Sequence, residues 1–140
     1  MIQVDDKDPR THAIIGAAME VHSILGPGLL ERLSEDAIVH EFQLRGIPFE
    51  RQRPIVLRYK AIELSGQRVD LIVGGLVIVE LKAIESVPNV NLSQMVSYMR
   101  SARVPLGLLI NFNVLRLKDG IFRRINPHAV NELTHAGLVM

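Results

Sequence analysis

The 140-residue chain contains no cysteine and no tryptophan, and only 4% of its residues are aromatic. Without cysteine it can form neither a disulfide framework nor a thiolate metal site, which fits a reducing compartment. Charges interrupt every apolar run well before the roughly 18 residues of a membrane helix. The first residues, MIQVDDKDPR, are acidic and lack the apolar segment of a signal peptide. We therefore expect a soluble, cytoplasmic protein.

Net charge is also small. The formal value of +1, taken alone, argues weakly against a nucleic-acid partner. Its distribution is uneven, because residues 1–50 carry 4 Lys and Arg against 9 Asp and Glu, whereas residues 51–140 carry 12 against 6. These net charges of −5 and +6 predict one acidic and one basic face of the molecule. The alternative is a solvated surface on which the charges happen to be unevenly distributed. A composition of 48% hydrophobic and 22% charged residues indicates one ordinary globular domain.

The first third of the chain has helical periodicity. Apolar residues recur at three- and four-residue steps after Thr11, a candidate N-cap, until Gly26-Pro27-Gly28 ends the helix. A second helix is predicted over Leu29–Leu44, with Gly46 as its C-cap. Residues 1–10 are predicted to be a loose segment.

Strands dominate from Ile47 onward. Phe49–Tyr59 contains Pro54, which predicts an edge or bulged strand, and Ile62–Leu64 is a short strand that Gly66 should end. After a hairpin between residues 69 and 82, a helix capped by an asparagine at 89 or 91 should run to Ala102 and cross to a buried strand at 104–110. Asp119-Gly120 predicts a last hairpin between strands at 115–117 and 121–123. Residues 126–140 are predicted to form a tail. The predicted fold is therefore α/β (α+β), with the order α, α, β, β, β, β, α, β, β, β and a central mixed sheet flanked by helices.

The stretch VDLIVGGLVIVELK, residues 69–82, is the most informative. It places Asp70, Glu80 and Lys82 within apolar runs, where an unpaired charge is costly to bury. A two-residue turn would put Asp70 and Glu80 on opposite faces. A three-residue loop after Val73 instead unites all three ionisable groups and leaves the other face apolar, so we predict that register, with a bulge at the turn.

Two carboxylates and an amine on one face suit phosphoryl chemistry. Asp70 and Glu80 supply the hard oxygen ligands that Mg²⁺ prefers, and a metal there could acidify a water molecule and neutralise phosphate charge. Lys82 would hold the attacking water or stabilise the developing charge, and the Leu81 carbonyl could be a further ligand. Arg68, two residues before Asp70, falls on the same face and either touches the substrate or pairs with Asp70.

Three motifs carry a resemblance to a known family. Asp70 followed by Glu80-Leu81-Lys82 resembles the D…(D/E)xK signature of the PD-(D/E)XK phosphodiesterase superfamily. The segment QMVSY, from Gln94 to Tyr98, is similar to the QxxxY motif of its RecB-like exonuclease branch. The segment GLLERLS, residues 28–34, resembles the motif of the GxxExxY family, a small member of the superfamily, although Ser34 stands where that motif has tyrosine.

The resemblance implies a restriction-endonuclease-like nuclease domain over residues 11–125 that hydrolyses phosphodiester bonds of DNA or RNA. It implies that Asp70 and Glu80 bind Mg²⁺, or Mn²⁺ as a substitute, and that Glu31 is a further ligand or orients a water. Lys82 would assist catalysis and Gln94 would position Lys82 or the substrate. Tyr98 would pack at the edge of the site or touch the nucleic acid.

We expect the partner to be the nucleic-acid backbone, because a chain without tryptophan and with two tyrosines offers little for base stacking. A homodimer is kept as an alternative to a monomer. Ser34 and the small net charge favour a second hypothesis, a nuclease-like binding or accessory module with little catalysis of its own. In a third, the ionisable cluster is structural and the function lies on another surface. As a separate alternative, Asp70 and Lys82 are a plain ion pair that bridges the hairpin.

Overall fold

A computed structural model describes residues 8–129, apart from the side chain of His128. Three α-helices, five strands and two short 3₁₀ helices make up this part of the chain. Their bounds are α1 Pro9–Leu25, α2 Glu31–Arg45, β1 Phe49–Tyr59, β2 Ile62–Val73, β3 Val77–Lys82, α3 Asn89–Ala102, β4 Leu106–Asn111, a 3₁₀ helix Leu117–Gly120, β5 Ile121–Ile125 and a 3₁₀ helix Pro127–Ala129.

The strands form one mixed sheet in the order β1-β2-β3-β4-β5. Neighbouring strands are antiparallel except β3 and β4, which α3 connects as a parallel pair. The predicted mixed sheet flanked by helices is thereby confirmed. Pro54 lies on the edge strand β1, and the register of β1 against β2 shifts between Ile55 and Leu57, so both an edge strand and a bulge are present.

The helix ends differ in part from the prediction. Asp8, not Thr11, caps α1: its carboxylate accepts from the Arg10 N–H at 3.0 Å, and Pro9 fills the first turn, where no donor is needed. Gly46 ends α2 with φ of 68°, as predicted. Neither predicted asparagine caps α3, because the N-cap position is Pro88 and no side chain bonds there.

Two strand predictions were wrong. Gly66 does not end a strand, since β2 is continuous through it and Gly66 adopts φ of 113° beside the register shift. No hairpin joins residues 115–117 to 121–123; β5 pairs with β4 instead, and Leu117–Gly120 is a 3₁₀ helix. Gly120 is needed for close approach, because a Cβ there would collide with the Asn111 carbonyl oxygen.

Each face of the sheet is covered by helices. Alternate residues of β2 and β3, among them Leu71 and Val79, pack with α1 and α2. The opposite set, including Ile72 and Ile78, packs with Met95 and Met99 of α3. The face that carries α3 is the one on which the predicted ionisable groups lie.

No helix within residues 8–129 is long and apolar enough to cross a membrane. The expected cytoplasmic location and the expected domain limits of 11–125 stay predictions. Most of the predicted loose N-terminal segment and all of the tail beyond residue 129 lie outside the described residues.

Candidate active site

The loop between β2 and β3 has the predicted register. Val73 pairs with Val77, Ile72 with Ile78 and Leu71 with Val79, so three residues connect the strands. Gly74 and Gly75 both have positive φ, of 59° and 72°, which explains why two glycines stand in this loop. The next step along the two strands brings Asp70 beside Glu80.

Two hydrogen bonds cross between the strands, and the carboxylates of Asp70 and Glu80 accept one each. The Asp70 N–H donates to Glu80 Oε1 at 3.0 Å, and the Leu81 N–H donates to Asp70 Oδ2 at 2.8 Å. The backbone pairing of β2 with β3 stops one residue earlier, at Leu71 and Val79. The two carboxylates therefore occupy the place where the strands part, and each has an oxygen held by a backbone donor.

The two carboxyls are crowded and poorly solvated. Glu80 is 7% exposed, and its burial, followed by the negative charge of Asp70, raises its pKa to about 8. Burial also raises the pKa of Asp70. The same effect acts on Glu31 at the start of α2, because its carboxyl is desolvated although the residue as a whole is exposed.

Lys82 lies within electrostatic reach of all three acidic groups, since its positive charge lowers the pKa of Glu31, Asp70 and Glu80. Within residues 8–129 it forms no direct salt bridge with any of them. The hypothesis of a plain Asp70–Lys82 ion pair is therefore wrong. The ammonium is half-buried and keeps donors available for another group.

Sequence reasoning missed a second layer of the site. Gln52 on β1 donates from Nε2 to both carboxylate oxygens of Glu35, at 3.0 and 3.1 Å, and to Asp70 Oδ1 at 3.2 Å. Glu35, one turn after Glu31 on α2, is 8% exposed and also accepts from Arg51 Nε at 2.7 Å. Gln52 thus bridges helix α2 and the catalytic-motif aspartate.

A signal for one of these residues was present in the sequence. Glu35 is four residues after Glu31 and so falls on the same helix face. Nothing in the sequence pointed to Gln52, because its side chain reaches the site from a residue with φ of 53° in an edge strand. A positive φ at a non-glycine residue is uncommon, but Lys60 between β1 and β2 and Arg103 after α3 share it, so it does not by itself mark the site.

The remaining predicted residues fall at varying positions. Tyr98 is buried, and its hydroxyl donates to Gln67 Oε1 at 2.7 Å; burial, then the charges of Glu80 and Asp70, raise its pKa, so it lies at the edge of the site. Gln94 is exposed and, among the described residues, has no hydrogen bond to Lys82. Arg68 is exposed and lies opposite Pro54. Within residues 8–129 it forms no ion pair with Asp70, so the alternative that Arg68 is the salt-bridge partner of Asp70 was wrong.

The donor set suits a small divalent cation. Across residues 8–129 no three acidic or histidine side chains come together as a preformed cage. Magnesium does not need one, because it is usually held by one or two carboxylates and keeps several waters. Asp70 and Glu80 supply two hard-oxygen ligands, and the charge of Asp70 contributes, after burial, to the raised pKa of Glu80, so a cation bound by both would relieve this repulsion.

Fold and site together define the class of protein: a restriction-endonuclease-like core with two carboxylates and a lysine where two central strands part. The chain belongs to the PD-(D/E)XK nuclease superfamily, whose sequence model matches residues 8–125. No match was found among the curated proteins or among the solved structures. Membership indicates nuclease activity and binding of nucleic acid, and these nucleases generally use divalent metals. The GxxExxY family and the RecB-like branch stay predictions.

Proposed function

We propose that this protein is a Mg²⁺-dependent nuclease that hydrolyses phosphodiester bonds of DNA or RNA at Asp70, Glu80 and Lys82. The observation that carries the proposal is the pair of hydrogen bonds that cross between β2 and β3, from the Asp70 N–H to Glu80 and from the Leu81 N–H to Asp70, with Lys82 on the same face. Such a cluster is expensive to maintain in a sheet unless it binds a cation or a substrate.

Asp70 and Glu80 would hold the ion, with Mn²⁺ as a substitute, and Glu31 would approach from α2. The ion, when bound, lowers the pKa of a water and neutralises charge on the phosphate. Lys82 donates a hydrogen bond to the attacking water or to a non-bridging phosphate oxygen as charge builds up. A water oxygen bonds to phosphorus while the bond to one sugar oxygen breaks, and the departing oxygen takes up a proton.

Gln52 acts as a positioning residue in this proposal. Its amide restrains Asp70 Oδ1, and Glu35 with Arg51 restrains the amide in turn. Outer hydrogen bonds of this kind fix the direction of a ligand's lone pairs. The chain α2–Gln52–Asp70 therefore keeps one carboxylate oriented toward the other.

Of the three remaining candidates, Tyr98 packs at the edge of the site and ties α3 to β2 through Gln67. Arg68 and Gln94 are exposed, and we assign them contacts with the nucleic-acid backbone rather than with the reacting atoms.

The direct test is cleavage of labelled single- and double-stranded DNA and RNA with and without Mg²⁺. Lys82→Ala should lower the rate at least about a hundredfold, the usual cost of losing one transition-state donor. Lys118→Ala, which removes an exposed lysine of a 3₁₀ helix, is the matched control. Circular dichroism and thermal melting should show an unchanged fold. Equal cleavage by the wild type and Lys82→Ala would contradict the proposal and mark the activity as contamination.

A second candidate function is a nucleic-acid-binding or accessory module with weak catalysis. The observation in its favour is Ser34, which is 3% exposed and supplies no phenol near Glu31. Calorimetric titration with Mn²⁺ separates the two functions. Heat in the wild type that Asp70→Asn abolishes supports the nuclease, whereas nucleic-acid affinity without metal binding supports the module.

A further inference from the structure

The positive charge of the chain is concentrated around α3 and β5. Residues 89–125 contain six basic residues and one acidic residue, Asp119. No acidic residue lies on α3 itself. The six do not share one surface, since Lys118 and Arg123 line a pocket with α1, but an excess of basic groups attracts polyanions at long range.

Two of these basic residues line a groove between α3 and the edge strand β5. It has a volume of about 360 Å³ and is lined by Asn89, Leu92, Ser93, Val96 and Arg100 of α3, and by Arg124 of β5. Arg124 pairs with Gly107, and a side chain at Gly107 would point at Met95 and Met99 of α3. Arg124 therefore lies on the face of the sheet that carries α3.

The guanidinium groups of this groove have no acidic partner in the part of the chain that the structure describes. Within residues 8–129, neither Arg100 nor Arg124 forms a salt bridge, whereas five other arginines do so: Arg45, Arg51, Arg53, Arg58 and Arg116. Arg124 Nη1 donates to the Arg123 carbonyl at 2.7 Å, which leaves most of its donors available. Two unneutralised guanidinium groups beside serine and asparagine are suited to binding a phosphate.

The groove and the carboxylates share one face of the sheet, with α3 between them. Three strand spacings of about 4.8 Å separate β2 from β5, or about 14 Å. Because a strand must pass over α3, it needs at least about four nucleotide steps of about 3.4 Å to cover this distance. The outer surface of α3 carries short or neutral polar side chains over this span, including Ser93, Gln94 and Ser97.

We propose that the groove of Arg100 and Arg124 binds a backbone phosphate of the nucleic-acid strand, at least about four nucleotides from the bond at the carboxylates. The inference rests on the proposed function for its substrate class. It adds a second contact that favours long strands over short phosphodiesters, because a short substrate cannot span both places.

The first experiment measures binding alone, by fluorescence anisotropy in EDTA, with an oligonucleotide longer than the span. The test protein is the double variant Arg100→Gln/Arg124→Gln. The control is Arg58→Gln/Arg116→Gln, which removes the same charge from exposed arginines that already have acidic partners. Because the groove neutralises one phosphate, the test variant should reduce the slope of log K against log salt by about 0.7 on single strands or about 0.9 on duplex. The control should leave the slope unchanged. Equal effects of the two variants, or no effect of either, would overturn the proposal that the groove binds a phosphate.

The second experiment compares hydrolysis of a long oligonucleotide with that of bis(p-nitrophenyl) phosphate. The double variant should raise KM for the oligonucleotide and leave kcat/KM for the small ester unchanged. A loss on both substrates would overturn the inference, because it would place the arginines in the reaction itself. If the wild type hydrolyses neither substrate, the proposed function fails, and the salt slope still decides whether the groove binds nucleic acid.

Discussion

Single residues of the site replace the backbone pairing that the strands give up. Where β2 leaves β3, the Asp70 and Glu80 side chains accept the N–H groups that would otherwise lose a partner. This explains how two acids are accommodated in a buried sheet. Each carboxylate keeps a second oxygen that can bind a cation. In Asp70 this oxygen also accepts the hydrogen bond from Gln52.

The motif residues were predictable from sequence, but the residues that hold them in place were not. Alternation along two strands is enough to bring Asp70, Glu80 and Lys82 to one face, because strand side chains have a period of two. Gln52 reaches the site through a left-handed backbone conformation that no local pattern encodes. Its contribution depends on the tertiary approach of β1 and α2.

A substitution at Gln52 tests that contribution. Gln52→Leu keeps the size of the side chain and the backbone conformation but removes the bonds to Glu35 and Asp70. We expect Mn²⁺ binding, measured by calorimetry, to weaken about ten- to a hundredfold. Gln43→Leu, at an exposed position of α2, should change nothing. An unchanged dissociation constant for Gln52→Leu would exclude a positioning role.

At the scale of elements, the sequence predicts what local patterns decide and fails where distant contacts decide. The hairpin register was correct because a single residue of slip would bury charges on the apolar face. Gly66 and Gly120 were misread as a strand break and a hairpin turn. One lies within a continuous strand beside a register shift, and the other allows a 3₁₀ helix to lie against β4.

The role of Gly120 gives a prediction on stability. Gly120→Ala should lower the free energy of unfolding by about 1–3 kcal/mol, because the new methyl group meets the rigid Asn111 carbonyl. Gly16→Ala, within α1, should instead raise it by about 0.5–1 kcal/mol, since its Cβ meets only the mobile end of Arg45. Urea denaturation measures both changes. Equal effects of the two substitutions would contradict the close-approach explanation.

At the scale of the whole molecule, one face of the sheet is apolar and the other carries the carboxylates, to which Glu35 of α2 is joined through Gln52. Helices α1 and α2 cover one side, and α3 covers part of the other, on which the carboxylates and the groove of Arg100 and Arg124 lie. The sequence predicted a chain of uneven charge, and the fold gathers much of the positive half around α3 and β5. Arg100 and Arg124 lie on the face that carries α3, so the net charge of +1 understates the attraction of that face for nucleic acid.

Global stability should depend on pH through Glu80. Its pKa is about 8 in the folded chain against an ordinary value of 4.5, so between these values the folded state holds a proton that the unfolded state has released. Stability of the metal-free protein should therefore fall as pH rises from about 5 to about 8, and the raised pKa of Asp70 acts in the same direction.

Urea midpoints in EDTA across this range measure the effect. Glu80→Gln should flatten the dependence, and Glu63→Gln, at an exposed position of β2, should retain it. A wild-type stability that rises with pH over this interval would contradict the assignment.

The most direct test of the central claim is a crystal structure of the protein soaked in Mn²⁺, with anomalous diffraction recorded. We expect an anomalous peak in contact with carboxylate oxygens of Asp70 and Glu80, and its loss in Asp70→Asn. A wild-type crystal with no peak there, in which the crossing hydrogen bonds of Asp70 and Glu80 persist unchanged at saturating Mn²⁺, would contradict a metal-dependent nuclease.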